Sequence, residues 1–267
     1  MPTTQVGSHT VYYDELGAGH PLIFISGLGS TRLGWWKQIE PFANKFRVIN
    51  MDNRDAGDSA LATAPYTIAT MADDVAGVIN NLNLGRTHIV GISMGGMIAQ
   101  ELAINHPDLV DKLVLVATTA GGPTNVNPSP EIAALLMRME GEDLETVVRR
   151  TFTAITGPGY MAAHPDDLDQ IVKHALARPM SLAAYQRQLG ACMVHLQGGT
   201  SGRLARITAP TLVVHGDADP LIPYANGKYL AEHIPGARLS TYPGVGHIVP
   251  IEAPERFNRE VIEFLSG

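Results

Sequence analysis

The sequence has 267 residues, 45% hydrophobic and 17% charged, a balance that suits a well-filled globular core and excludes a disordered chain. Its formal net charge is −7 and it holds no basic block, which argues against nucleic acid or an anionic membrane surface as partner. With one cysteine, Cys192, an intrachain disulfide is excluded, and its helical context reads as a buried, inert thiol.

The first ten residues are polar, so no secretory leader is expected and the cytoplasm is the expected compartment. The longest apolar runs, at 22–25 and 113–117, are strand-sized and too short to span a bilayer. In chain order, β-rich runs fall at 11–16, 21–25, 46–51, 87–91, 112–117, 211–216 and 237–242. Several are near-continuous Val/Ile/Leu, as expected of strands covered on both faces. The polar connector 17–20 predicts that the first two runs form an antiparallel hairpin at the sheet edge. Between the runs lie amphipathic patterns. Over 67–82, Ile68, Met71, Val75, Val78, Ile79 and Leu82 share one face, and 93–104 and 254–265 are also helical in pattern. Such alternation predicts a mostly parallel sheet with helices on both sides.

One region breaks the pattern. From about 121 to 206 there is no strand signal, and helices are expected at 131–139, 144–153, 166–176 and 181–196. An all-helical insertion after the sixth strand predicts a cap (121–206) over a core made of 1–120 and 207–267, with ligands bound between them.

Gly91-Ile92-Ser93-Met94-Gly95 fits G-x-S-x-G. The pattern alone is common. Here a strand, Thr87-His88-Ile89-Val90, runs into it and a helix follows, which is the setting of a nucleophile elbow. A strand turning abruptly into a helix strains the serine backbone, so its neighbours must be small. The serine oxygen then stands at a helix N-terminus, where N–H groups favour negative charge.

A serine needs a base. Of ten histidines, His247 stands in a short loop, Gly244-Val245-Gly246-His247, between a strand and the last helix. The others read as core or solvated groups, with His215 expected near the site. The base needs an orienting acid, and Asp217 and Asp219 both follow the strand 211–216; spacing within that loop does not choose between them. For the oxyanion, the Met94 N–H is one donor and the Leu28 N–H, in Ser26-Gly27-Leu28-Gly29-Ser30, the second. Gly27 lets the backbone approach a substrate. Met94, Met97, Met137, Met139, Trp35 and Trp36 are candidates for an apolar pocket wall, and Arg149 and Arg150 for a contact with an anionic substrate. No dinucleotide fingerprint, P-loop, H-E-x-x-H or Cys/His spacing is present, so neither cofactor nor metal is expected.

These segments, with Asp52-Asn53-Arg54-Asp55-Ala56-Gly57-Asp58-Ser59, resemble the α/β-hydrolase superfamily over nearly the whole chain. The stretches Ile92-Ser93-Met94-Gly95-Gly96-Met97 and Pro210-Thr211-Leu212-Val213-Val214-His215-Gly216-Asp217-Ala218-Asp219-Pro220 are similar to small capped carboxylesterases and enol-lactonases. The resemblance implies an eight-stranded, mostly parallel sheet. Its acid falls in Gly-x-x-Asp-x-x-x-Pro, here Gly216, Asp219 and Pro223, which selects Asp219. Two departures stand out: Ser26-Gly27 where the family carries His-Gly, and Asp55 where it carries Gly. The expected activity is hydrolysis of a small ester or lactone with water, by a monomer or homodimer. The rivals are a C–C bond hydrolase, a cofactor-free perhydrolase and a non-catalytic ligand-binding protein.

Overall fold

The computed structural model describes residues 2–267. Its strands are β1 (Thr3–Val6), β2 (His9–Leu16), β3 (His20–Ile25), β4 (Phe46–Met51), β5 (Thr87–Ile92), β6 (Val110–Val116), β7 (Thr211–Gly216) and β8 (Arg238–Tyr242). They form one sheet in the order β1-β2-β4-β3-β5-β6-β7-β8. β2 is antiparallel to β1 and β4; all other pairings are parallel.

The continuous apolar runs serve two faces at once. Ile23, Ile25, Ile89, Leu113, Leu115 and Val213 enter one buried cluster, and their neighbours Leu22, Phe24, Val90, Val114, Val116 and Val214 enter the other. Alternation with period two sends each side chain to the opposite face. Helices α1 (Ile39–Ala43), α2 (Ile68–Asn81) and α3 (Met94–Asn105) follow β3, β4 and β5. α2 starts at a Thr67/Thr70 capping box and buries Ile68, Met71, Val75, Val78 and Ile79, the face read from its spacing.

The expected hairpin between β2 and β3 is not formed. β4 lies between them, pairing Tyr13 with Met51 and Leu22 with Val48. The connector 17–19 passes tightly over the start of β4. A side chain at Gly17 would run into the Ala43 and Phe46 carbonyls, and Gly17 and Gly19 have φ of 77° and 108°. These glycines are required by a crossing, not by a hairpin turn. The hairpin at the edge is β1–β2 instead; β1 carried too little apolar content to read as a strand.

Between β6 and β7 every regular element is helical: α4 (Pro130–Ala134), α5 (Leu144–Ile155), α6 (Tyr160–Ala163), α7 (Pro165–Ala177) and α8 (Leu182–Gly198), besides short 3-10 turns. α5, α7 and α8 match their expected positions. The helix expected over 131–139 ends at Ala134. The Leu135 N–H closes a tight last turn on the Ile132 and Ala133 carbonyls. Val148, Ile155, Met161, Ile171 and Val172 of this insertion share a buried cluster with Leu221, Ile248 and Ile251, which lie beyond β7 and β8. The insertion therefore covers the C-terminal edge of the sheet. The chain closes with α9 (Tyr224–His233), α10 (Val249–Glu252) and α11 (Pro254–Ser266). Among the described residues, no helix is long and apolar enough to cross a membrane.

Candidate active site

Ser93 joins β5 to α3 with φ 56° and ψ −120°, a conformation that costs a non-glycine residue about 1–3 kcal/mol. Surrounding contacts hold it there. Its N–H donates to the Val116 carbonyl (2.9 Å), and its carbonyl accepts from Thr118 Oγ1 (2.7 Å) and the Gly96 N–H (2.9 Å). Small neighbours permit the turn, as the sequence requires. A side chain at Gly91 would strike the Gly95 carbonyl, and one at Gly95 the Ile25 and Ser26 carbonyls. Met94 is the first residue of α3, so its N–H has no partner within the helix and stands beside the serine.

The loop after β3 lies against this turn. A Cβ added at Gly27 would sit 3.3 Å from Ser93 Cβ and 3.8 Å from Ser93 Oγ. Ser26 occupies the place where a histidine was expected from the family. Its hydroxyl donates to the Thr31 carbonyl (3.1 Å) and its carbonyl accepts from Asn53 Nδ2 (2.9 Å). Both bonds fix the loop's curvature next to Leu28.

Asp219 and His247 meet at the ends of β7 and β8. His247 Nδ1 lies 2.8 Å from Asp219 Oδ2. The other carboxylate oxygen accepts the Leu221 and Ile222 N–H groups, both at 2.9 Å. Burial alone would raise the Asp219 pKa, but the charge of His247 and hydrogen bonds from His215 and His247 outweigh it, and the carboxyl is held down at about 2. His215 belongs here as expected, 3.4 Å from Asp219 Oδ2 and 2.8 Å from the Ile222 carbonyl. Asp217 takes no part. It is exposed and caps the Gly244 N–H (2.7 Å).

Glu252 was not singled out by its sequence. It is half-buried, and its carboxylate accepts the N–H groups of Gly157 (2.8 Å), Gly246 (3.0 Å) and Ile248 (3.2 Å). His247 lies between the last two, and its own N–H donates to Ile155 at the end of α5 (2.8 Å). Burial raises the Glu252 pKa, while these three bonds oppose the rise. The histidine loop is thus tied to the helical insertion from both sides.

Ser93 and His247 face one cavity of about 260 Å³, between the sheet edge and the insertion. Among the described residues Ser93 Oγ forms no hydrogen bond, and both side chains line this cavity. Gly27, Leu28, Met94, Met97, Trp35 and Trp36 all reach the lining. Trp35 does so from the core, packed on Phe24 with ring centroids 4.6 Å apart. Met137 and Met139 do not line it. They are 57% and 71% exposed, because the tight turn that ends α4 sends Leu135 and Leu136 inward instead. Arg149 and Arg150 also miss it. Arg149 pairs with Glu145 and Asp169, and Arg150 with Glu142, at the surface. Cys192 does reach the lining, and burial pushes its thiol up to about 12, so it stays protonated and unreactive.

The departure at Asp55 has a structural answer. Asp55 is buried at φ 68° and accepts a two-pronged ion pair from Arg187 of α8 (2.7 and 2.8 Å), besides Tyr66 Oη and the Ala62 N–H. The next residue of α8, Gln188, accepts the Gly29 N–H (3.0 Å) and donates to the Arg54 carbonyl (2.9 Å). One turn of α8 therefore grips both the Asp55 loop and the loop beside Ser93.

The family model described as the alpha/beta hydrolase fold matches residues 20–254. A protein provisionally named carbamate hydrolase RutD, from Caulobacter sp. (strain K31), is 30% identical over 97% of this chain and 95% of its own. The 2-hydroxy-6-oxononadienedioate/2-hydroxy-6-oxononatrienedioate hydrolase of Burkholderia vietnamiensis (strain G4 / LMG 22486) is 32% identical over 96% of this chain and 90% of its own. The solved enol-lactonase of Burkholderia xenovorans LB400 superposes with a TM-score of 0.86 at 25% identity, covering all of both chains. Strand order, the turn at Ser93 and these likenesses agree: the chain belongs to the alpha/beta hydrolase fold family.

Proposed function

We propose that the protein hydrolyses a small, largely apolar carboxylic ester or lactone, with Ser93 as nucleophile, His247 as base and Asp219 as its orienting acid. The observation that carries this reading is the His247–Asp219 bond at 2.8 Å, facing the same cavity as the strained serine. His247 takes the Ser93 proton as Oγ bonds to the carbonyl carbon, and the Met94 and Leu28 N–H groups receive the oxyanion. The acyl carbon–oxygen bond then breaks, and the leaving alkoxide takes the proton from His247. Water, deprotonated by His247, releases the acid and restores the serine. The bulk of residues 121–206 acts as the cap that shapes the acyl pocket.

The apolar lining supports a neutral substrate. Of the two arginines at its edge, Arg178 pairs with Asp58 (2.7 Å) and Arg138 stacks on Tyr185. A second reading, cleavage of a C–C bond next to a carbonyl, rests on the likeness to the Burkholderia vietnamiensis hydrolase. A panel of p-nitrophenyl acetate, p-nitrophenyl butyrate, simple lactones and a vinylogous diketone separates the two. Turnover of an ester or lactone by wild type and its loss in Ser93→Ala is the expected result. Turnover of the diketone alone supports the second reading, and equal turnover in both proteins refutes the first.

A further inference from the structure

His20, His88 and Asp111 are far apart in sequence and no spacing joins them. The sheet brings them together at its N-terminal edge, opposite Ser93. They stand near the starts of β3, β5 and β6, which are adjacent strands. Leu22 pairs with His88, so His20, two residues earlier, shares His88's face. On the other side the β5–β6 register shifts between Thr87 and Ile89: Thr87 pairs with Val110, but Ile89 with Leu113. This extra residue on β6 brings Asp111 beside His88.

Asp111 Oδ2 lies 3.1 Å from His20 Nε2 and 3.4 Å from His88 Nδ1. Among the described residues, these form the one group of three His, Cys, Asp or Glu side chains whose ligand atoms all lie within 4.8 Å of one another. A four-coordinate ion with bonds of about 2.0–2.1 Å sets neighbouring ligand atoms about 3.3 Å apart. The separations of 3.1 and 3.4 Å fit that edge.

The state of His88 is the second observation. Its residue is only 3% exposed, and its Nδ1 has no hydrogen-bond partner. That unpartnered Nδ1 faces Asp111 Oδ2 at 3.4 Å, too far for a good hydrogen bond. A cation placed between the two atoms partners both. The nearby cations leave the position clear. Arg86 Nε lies 3.6 Å from the other oxygen, Oδ1, and Lys112 Nζ donates to the Phe264 and Leu265 carbonyls. His20 and Asp111 have side chains 42% and 32% exposed, which gives an entry path and room for water as a further ligand.

We propose that His20, His88 and Asp111 form a binding site for one divalent transition-metal ion of the zinc class, clipping three strands together at the edge of the sheet away from Ser93. Two imidazoles with one carboxylate suit zinc, nickel or copper rather than magnesium or calcium, which prefer all-oxygen ligands. The expectation of no metal came from local spacing, which cannot see residues joined only by strand order.

The test is calorimetric titration of the tag-free full chain with zinc sulfate, with magnesium sulfate as control. One equivalent of zinc is expected to bind and magnesium not. The surface variants His20→Gln and Asp111→Asn are expected to weaken zinc binding by at least about tenfold. Both should fold, as checked by thermal melts, and neither should change ester turnover, since neither touches the cavity. The wild-type melting temperature should rise with zinc, and that of the variants should not. Absence of zinc binding at millimolar concentration overturns the proposal. So does binding that both variants retain in full, or that is lost in His247→Gln instead.

Discussion

Ser93 is held in its strained turn by backbone contacts on every side, so its surroundings tolerate little change. Gly95→Ala is expected to cost about 1–3 kcal/mol, because a methyl there strikes the Ile25 and Ser26 carbonyls; urea unfolding measures it. Asp219 bonds His247 Nδ1 through one carboxylate oxygen and takes two backbone N–H groups on the other. Its folded pKa of about 2 lies below the ordinary 3.8. The stability it contributes is therefore full above about pH 4 and lost as pH falls through about 2. Asp219→Asn should lower kcat by roughly 1,000–10,000-fold with the fold intact, whereas Asp217→Asn should leave kcat unchanged. Glu252 bonds the N–H groups on either side of His247, and is expected to act as a positioning residue for it. Glu252→Gln should lower kcat more than it alters KM, and should shift the acid limb of the pH–rate profile, which a purely structural role would not move. The Ser93 turn and the His247 loop each stand in a short local pattern, whereas the choice of Asp219 over Asp217, which the 2.8 Å bond to His247 accompanies, came from the resemblance. Glu252 was not legible, because its three partners come from two loops that meet only in the folded protein.

At the scale of elements, α8 is the bridge between the insertion and the core. Arg187 and Gln188, adjacent on that helix, hold the Asp55 loop and the loop that carries Leu28. Arg187 is about one-fifth exposed, and Asp55 keeps Tyr66 and the Ala62 N–H when it is removed. Arg187→Ala is therefore expected to cost about 1.5–3 kcal/mol, less than a fully buried pair, in denaturant melts. Its effect on turnover should exceed that of Arg149→Ala, whose partners lie at the surface. The helices were readable from apolar spacing, and the structure adds their caps, Ser181 before α8 and Asp143 before α5. The pairing of β2 was not, because glycines that make a tight crossing and glycines that make a hairpin look alike in sequence. Met137 failed for a similar reason: one early turn at Leu135 reverses which side chains face the cavity.

Over the whole molecule, a two-faced sheet carries its chemistry at one edge and buries that edge under the insertion. Burial has a cost that pH reveals. His195 of α8 is buried with Nε2 unpaired, and burial, opposed by Glu101 and assisted by Arg203, lowers its pKa from 6.5 to about 4. The unfolded chain binds that proton first, so stability falls as pH drops from about 6.5 to about 4. His195→Leu should reduce this slope, as measured by urea melts at pH 7 and pH 5. The fold was legible because its strands are long apolar runs in a repeated order. The substrate was not, because the cavity is built by helices whose packing no local pattern specifies. The central claim is that Ser93, activated by His247 and Asp219, carries the acyl group. Its most direct test is mass spectrometry after treatment with an aryl phosphonate ester, a serine-directed acyl mimic. One adduct on the peptide containing Ser93 is predicted, absent from Ser93→Ala and formed much more slowly in Asp219→Asn. Labelling at another residue, or at an undiminished rate in Asp219→Asn, would contradict it.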